Sequence, residues 1–173
     1  MVIGDGINFV VQDNKTQDKI NNIYKNNLLD ILIFQSAITQ SKSGYTVIRV
    51  RNEDDKAIIE EIPVDMYFPK YSGNISEKLE EVVLASFVNI IDDRGHKIKC
   101  VYKQKYFYND DEDVLLKHEL WSVNSQNICV EQKPISFFDV NLSDEPENIG
   151  LLTIPVWQIN NLKITNQIGR AHV

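Results

Sequence analysis

Residues 44–69, GYTVIRVRNEDDKAIIEEIPVDMYFP, leave the chain few choices. Residues 45–51 and 56–62 are rich in β-branched side chains, which suit a pleated surface. Between them Asn52, Glu53, Asp54 and Asp55 could be buried only at a heavy desolvation cost, so the chain is expected to reverse there in water. The pattern is that of a β-hairpin. Pro63 has no backbone donor, so the second strand must stop or reach an edge at that point. Met66, Tyr67 and Phe68, just before Pro69, are then expected to form a packed corner.

Upstream, Ile20, Ile23, Tyr24, Ile31, Phe34 and Ile38 recur at threes, fours and one seven-residue step, interrupted at Asn27. Leu28, Leu29, Leu32 and Ile33 widen the stripe. The spacing predicts one amphipathic helix over residues 15–41, roughly 40 Å long at about 1.5 Å per residue. Asn14 and Gln17 stand at capping-box spacing before it. Burying six such side chains contributes on the order of 10 kcal/mol before entropy is counted, so the helix is expected to lie against a sheet or other helices. Ile31→Asp should then destroy solubility.

Downstream the pattern is a meander. Residues 79–91 are apolar on both alternating faces, Val83, Ala85, Phe87 and Ile91 against Val82, Leu84, Val88 and Ile90, which predicts a strand covered on both sides. After a turn at residues 92–95, Ile98, Cys100, Tyr102, Tyr106 and Tyr108 share one face of the next strand. Lys97, Lys99, Lys103 and Lys105 share the other, so one side packs and one is wet. An acidic turn at 109–113 leads to a third strand, 114–123, with Leu116, His118 and Leu120 opposite Leu115, Glu119 and Trp121. Short strands are expected at 7–12, 128–131 and 136–140, and loops at 70–77 and 142–148. Pro155 confines residues 151–159 to an edge strand or extended packing. The expected class is α+β, one long amphipathic helix packed on a predominantly antiparallel β-sheet or meander, in a single lobe over residues 1–167.

The net charge of −7 argues against a general nucleic-acid or anionic-membrane surface and leaves room only for a local basic strip. No apolar run approaches the roughly 20 residues that cross a bilayer, and the N-terminus has no signal-peptide pattern. Cys100 and Cys129 lack metal or redox spacing and read as two buried free thiols in a reducing compartment. Gly4-Asp5-Gly6 has no third glycine and precedes a strand, so it reads as a turn and not a phosphate loop. Asp110, Asp111, Glu112 and Asp113 offer hard oxygens for calcium or magnesium, but EF-hand spacing and its glycine are missing, and a solvated hairpin tip is the simpler reading. His96 and His118 have no GxSxG or similar motif beside them and read as structural histidines, not bases. Trp121, Trp157 and the stripe Tyr102, Tyr106, Tyr108 could stack on bases or sugars. Sheet core or a protein interface is preferred for them, because the flanking acidic turns offset the lysines. No catalytic, cofactor-binding or metal-binding residue is assigned.

The succession of helix (INNIYKNNLLDILIFQSAITQ), strand approach (SKSGYTVIRV), polar turn, second strand ending in IPVDMYFP, short loop with Gly73 and Asn74, and long strands carrying HELWSVN resembles the portal proteins of tailed bacteriophages, of the type common in phages of Gram-positive hosts. The likeness runs from about residue 7 to residue 160 and is strongest over 20–91. Its most specific part is Pro63, Asp65, Tyr67, Phe68 and Pro69, similar to the family's VPAD-aromatic-aromatic-P segment. IPVWQINN is similar to the family's P-x-x-x-x-x-N approach to the central stem. The resemblance implies the outer wing of a non-enzymatic virion protein. It would form a homo-oligomeric ring, usually a dodecamer, at one capsid vertex after synthesis in the bacterial host cytoplasm. DNA would pass through the channel without sequence-specific binding. Terminase, capsid and head–tail connector proteins would be partners, with no membrane and no cofactor. Stem, clip and crown lie later in the family's sequence, and residues 168–173, IGRAHV, resemble the translation of a sequencing adapter, so the native product is expected to continue past Gln167. Two other classes stay open: a stand-alone β-rich protein-binding module of phage or bacterial origin, contacting its partner through Tyr67, Phe68, Trp121 or Trp157, and an enzyme fragment with catalytic residues beyond Gln167.

Overall fold

Two short helices, and not one long one, open the chain in the computed structural model, which describes residues 9–72, 78–92 and 94–160. The Gly4-Asp5-Gly6 turn, Gly73, Asn74 and residues 168–173 lie outside the described residues. Helix α1 is Asn14–Asn26 and helix α2 is Leu29–Ser43. Asn27 leaves the helical conformation at φ −96°, ψ 1°, and Leu28 is left-handed at φ 49°. An asparagine side chain competes for backbone hydrogen bonds, and here the competitor wins. Asn27 Oδ1 accepts the Ile59 N–H at 2.7 Å, while Nδ2 donates to the carbonyls of Ala57 and Ile23 at 2.8 Å each. The interruption in the apolar series is thus a break in the rod, and the fold is mostly antiparallel β with a small helical part.

The break also changes which side of α2 is buried. Ser36 is its one buried residue, its hydroxyl donating to Glu61 at 3.2 Å. Ile31, Phe34 and Ile38, expected to form the buried seam, are 54%, 59% and 40% exposed. The N-cap of α1 is Asp13, one residue earlier than expected, with Oδ2 accepting the Thr16 N–H at 2.7 Å. Gln17 reaches back over the same end to bond Val11 N and Phe9 O at 2.9 and 2.8 Å, and residues 9–12 form no strand. Gly44, at φ 80°, ends α2 as a left-handed cap with its N–H on the Gln40 carbonyl.

Strands β1 (Tyr45–Glu53) and β2 (Lys56–Ile62) form the expected hairpin, in register from Val47↔Ile62 to Glu53↔Lys56. Its turn is tighter than four residues. Asp54 and Asp55 alone make it, both at positive φ, the two-residue geometry whose twist matches the strands. After Pro63 a 3-10 turn spans Val64–Met66 and leads into β3 (Tyr67–Tyr71), where a packed corner and a loop were expected. Alternation along β3 buries Tyr67 and exposes Phe68. Pro69 is tolerated because, among the described residues, β3 is an outer strand paired with β4 (Leu79–Ile91) alone.

Strands β5 (Lys97–Tyr108), β6 (Val114–Val123) and β7 (Cys129–Lys133) continue the meander, and β8 (Glu147–Asn148) adds beside β6. The sheet order is β3-β4-β5-β6-β7. One face holds the core of Ile90, Cys100, Leu120 and Ile135, with Val88, Ile98, Tyr102 and Leu142 against it. Residues 136–140 are not a strand. Pro134 precedes a 3-10 turn, Ile135–Phe137, whose first N–H is held by Asp144 Oδ1 at 3.1 Å, and this lays Ile135 over the sheet. Strand β4 is not covered on both sides, since Phe87 and Ile91 are 57% and 70% exposed. Cys129 is likewise exposed, because β7 is an outer strand with little over it; Cys100 is buried, and burial pushes its thiol pKa up against the opposing pull of Lys133. Finally β9 (Val156–Asn160) begins directly after Pro155 and pairs with β1, giving a second sheet of order β2-β1-β9.

The described residues up to Val64, together with those from Pro155, form one compact unit, and Asp65–Ile154 form another. Among the described residues no helix is long and apolar enough to cross a membrane.

Candidate functional site

Titratable groups were the first sequence candidates, and each proves to be tied into local structure. His118 lies mid-strand on β6, 4% exposed, with Nδ1 2.7 Å from the Tyr102 hydroxyl and the two rings stacked at 5.9 Å. Phe138 closes over Tyr102 at 4.6 Å. Burial pushes the His118 pKa down, against the opposing charges of Glu147 and Asp139, so its ring is neutral at pH 7. A base in this position has no open face for a substrate. His96 sits in the β4–β5 turn, exposed, 3.3 Å from Asp92 Oδ2. The Asp92 carboxylate accepts the N–H groups of His96 and Arg94 at 2.7 and 2.9 Å, and these bonds hold its pKa down. That constellation shapes a turn.

The acidic run at 110–113 is built the same way. Asn109 Oδ1 accepts the N–H groups of Asp111 and Asp113 at 3.0 and 2.8 Å, and Glu112 takes a positive φ to close the loop. The carboxylates are not gathered inward. Among the described residues no group of three or more His, Cys, Asp or Glu side chains is placed to hold a metal ion. In the hairpin unit, Glu60 accepts from Arg49 Nη2 at 2.8 Å and Arg51 Nε at 2.9 Å. Burial raises its pKa, but the two guanidiniums outweigh that and hold the carboxylate ionised. The cluster fastens β1 to β2.

What remains is surface. On α2, Ile31, Phe34 and Ile38 recur at helical spacing and are all exposed, as is Leu28 at its N-cap, an apolar stripe rather than scattered single residues. On the β3–β7 sheet, Tyr102, Tyr106 and Tyr108 belong to the packed side; Tyr106 is buried and the Tyr108 hydroxyl accepts the Ile154 N–H at 3.2 Å. Trp157, 44% exposed, stands on the outer strand β9. Trp121 instead shares the lysine face, with Phe87 and Phe107. Residue alternation had separated tyrosines from lysines, but only the strand register could show which aromatics of the neighbouring strands join the lysines. No protein-family model matches the chain, and no curated protein matches it.

Proposed function

We propose that this chain is the wing part of a portal-type ring protein of a tailed-phage virion, a non-enzymatic lobe that works through protein contacts. The observation that carries the reading is the build of IPVDMYFP. Pro63 ends β2, the 3-10 turn follows, buried Tyr67 opens β3, and Pro69 occupies an outer strand. The chain passes from one unit to the other within that segment, and it passes back at IPVW, the other stretch on which the resemblance rests. Both quoted motifs are therefore joints, places where sequence fixes how the chain enters and leaves a lobe. The apolar stripe of α2 supports assembly, since a row of large apolar side chains in water marks a contact surface.

In the ring reading the partners are further copies, the capsid, the terminase and the connector proteins, at the portal vertex. The same stripe also suits a stand-alone protein-binding module, which would capture a partner without closing a ring. Electron microscopy and mass photometry of the product of the complete gene separate the two. Closed rings with a central channel are expected; a uniform monomer at micromolar concentration would overturn the portal reading.

A further inference from the structure

We infer that the open face of the β3–β7 sheet, at the end carrying Lys97, Lys99 and Lys103, is a binding surface for single-stranded nucleic acid. Residues opposite one another in an antiparallel ladder share a face. Across β4 and β5, Ile91 faces Lys97, Asn89 faces Lys99, Phe87 faces Val101 and Ala85 faces Lys103. Across β5 and β6, Val101 faces Trp121 and Lys103 faces Glu119. Three ammonium groups and two aromatic rings are thereby collected on one face of three strands, about 10 Å across and roughly 20 Å along β5 from Lys97 to Lys103.

The rings and the cations are already in contact. Lys99 Nζ stands 4.1 Å from the centroid of Phe87 and Lys103 Nζ 5.1 Å from that of Trp121. The carboxylates on this face are taken up elsewhere: Glu81 by Lys105 at 3.0 Å, and Glu119 by Lys117 at 3.6 Å and Trp121 Nε1 at 3.0 Å. Among the described residues no carboxylate is within ion-pair distance of Lys97, Lys99 or Lys103, and Lys99 Nζ also donates to Asn127 Oδ1 at 2.7 Å. In the adjoining turn exposed Arg94 stands with Asp92, whose carboxylate is engaged by the backbone N–H groups of Arg94 and His96. The acidic turn at 109–113 lies past the far end of β5, roughly 20 Å along the strand from Lys103 and about 40 Å from Lys97. In a chain of net charge −7 this stretch of the sheet face is therefore a local basic strip of three lysines, with Asp92 and Asp93 preceding Arg94 in the sequence beside it.

An acidic polypeptide would engage the lysines and leave the rings without a use. A nucleic-acid strand employs both. Its phosphates draw Lys99 and Lys103 off the rings, and its bases take their place on Phe87 and Trp121. Neither the lysine cluster nor the rings depend on the portal reading, so a failure of ring assembly leaves this inference standing and the reverse also holds.

The test uses the full chain with Trp157→Phe, so that Trp121 is the only tryptophan reporting. Titration with an oligothymidylate of about fifteen nucleotides at roughly 50 mM salt should quench Trp121 fluorescence. The triple variant Lys97→Gln, Lys99→Gln, Lys103→Gln should bind at least about ten-fold more weakly, with the slope of log affinity against log salt shallower by about 2. Phe87→Ala should weaken binding by about ten-fold and leave that slope unchanged. Phe87→Leu, which keeps apolar bulk but removes the ring, repeats the test should the alanine variant melt early. Absence of quenching, equal affinity for a duplex or for polyglutamate, or full affinity in both Phe87 variants would each overturn the inference.

Discussion

Replacing Asn27 with alanine should cost the hairpin unit about 2 kcal/mol, although alanine is the better helix former. The asparagine amide makes three bonds, one from the Ile59 N–H and two to the carbonyls of Ala57 and Ile23. Ala57 and Ile59 flank Ile58 on β2, whose other side is paired with β1, so the Asn27 side chain stands in for a neighbouring strand along an outer edge. At about 1 kcal/mol net per bond the loss is roughly 3 kcal/mol. Asn27 stands outside the helix, so helix propensity returns little, but the site is only partly buried and water recovers some of the loss. A loss of about 2 kcal/mol lowers the melting temperature by roughly 10 °C in a unit of this size. Thermal melting by circular dichroism reads the stability, and amide exchange at Ile59 reads the edge. Asn27→Asp keeps the acceptor for Ile59 and loses the donor, so it should fall between wild type and alanine. An unchanged melt together with unchanged Ile59 protection would refute the claim that this side chain holds the helices to the sheet.

Three further outcomes follow from single residues. Leu28 is left-handed and exposed, so Leu28→Gly should raise stability by up to about 1 kcal/mol in chemical denaturation, whereas a loss would mean the side chain packs. Ile31→Asp, expected from the sequence to destroy the core, should leave the melting temperature within about a degree and reduce aggregation in light scattering, because the residue is exposed. Burial keeps the His118 ring neutral to lower pH than in the unfolded chain, where it titrates near about 6.5. The unfolded chain therefore takes the proton first. The stability linked to this group is complete above about pH 6.5 and is lost as the pH falls below it, and His118→Gln should flatten that part of the pH–stability curve.

The long strands were legible because their signal is local. A continuous apolar run over 79–91 and alternation over 97–108 need only neighbouring residues, and the bounds of β4 agree with the run. The hairpin and the edge position after Pro155 were legible for the same reason. The helix break was not, because the groups that draw Asn27 out of the helix belong to Ala57 and Ile59, some thirty residues away in sequence. Strand β3 was hidden by Pro69, which is compatible with a strand only at an edge, a fact of sheet order and not of composition. The lysine–aromatic face needed both alternation and register. Lys103 and Trp121 each lie on a readable strand, but their shared side follows from pairings such as Val101↔Trp121.

The discontinuous make-up of the hairpin unit sets an order of events on the ribosome. Strand β1 has β2 on one side within a few residues, but its other neighbour, β9, is synthesised only after the whole of β3 to β8. At about 5–20 residues per second that delay is of the order of ten seconds. During it the Tyr45–Arg49 edge that will accept β9 stands open while the intervening meander can already close its own core. The nascent chain is then most exposed to mispairing at β1, and a chaperone or a synonymous codon change that slows translation should act through that waiting edge.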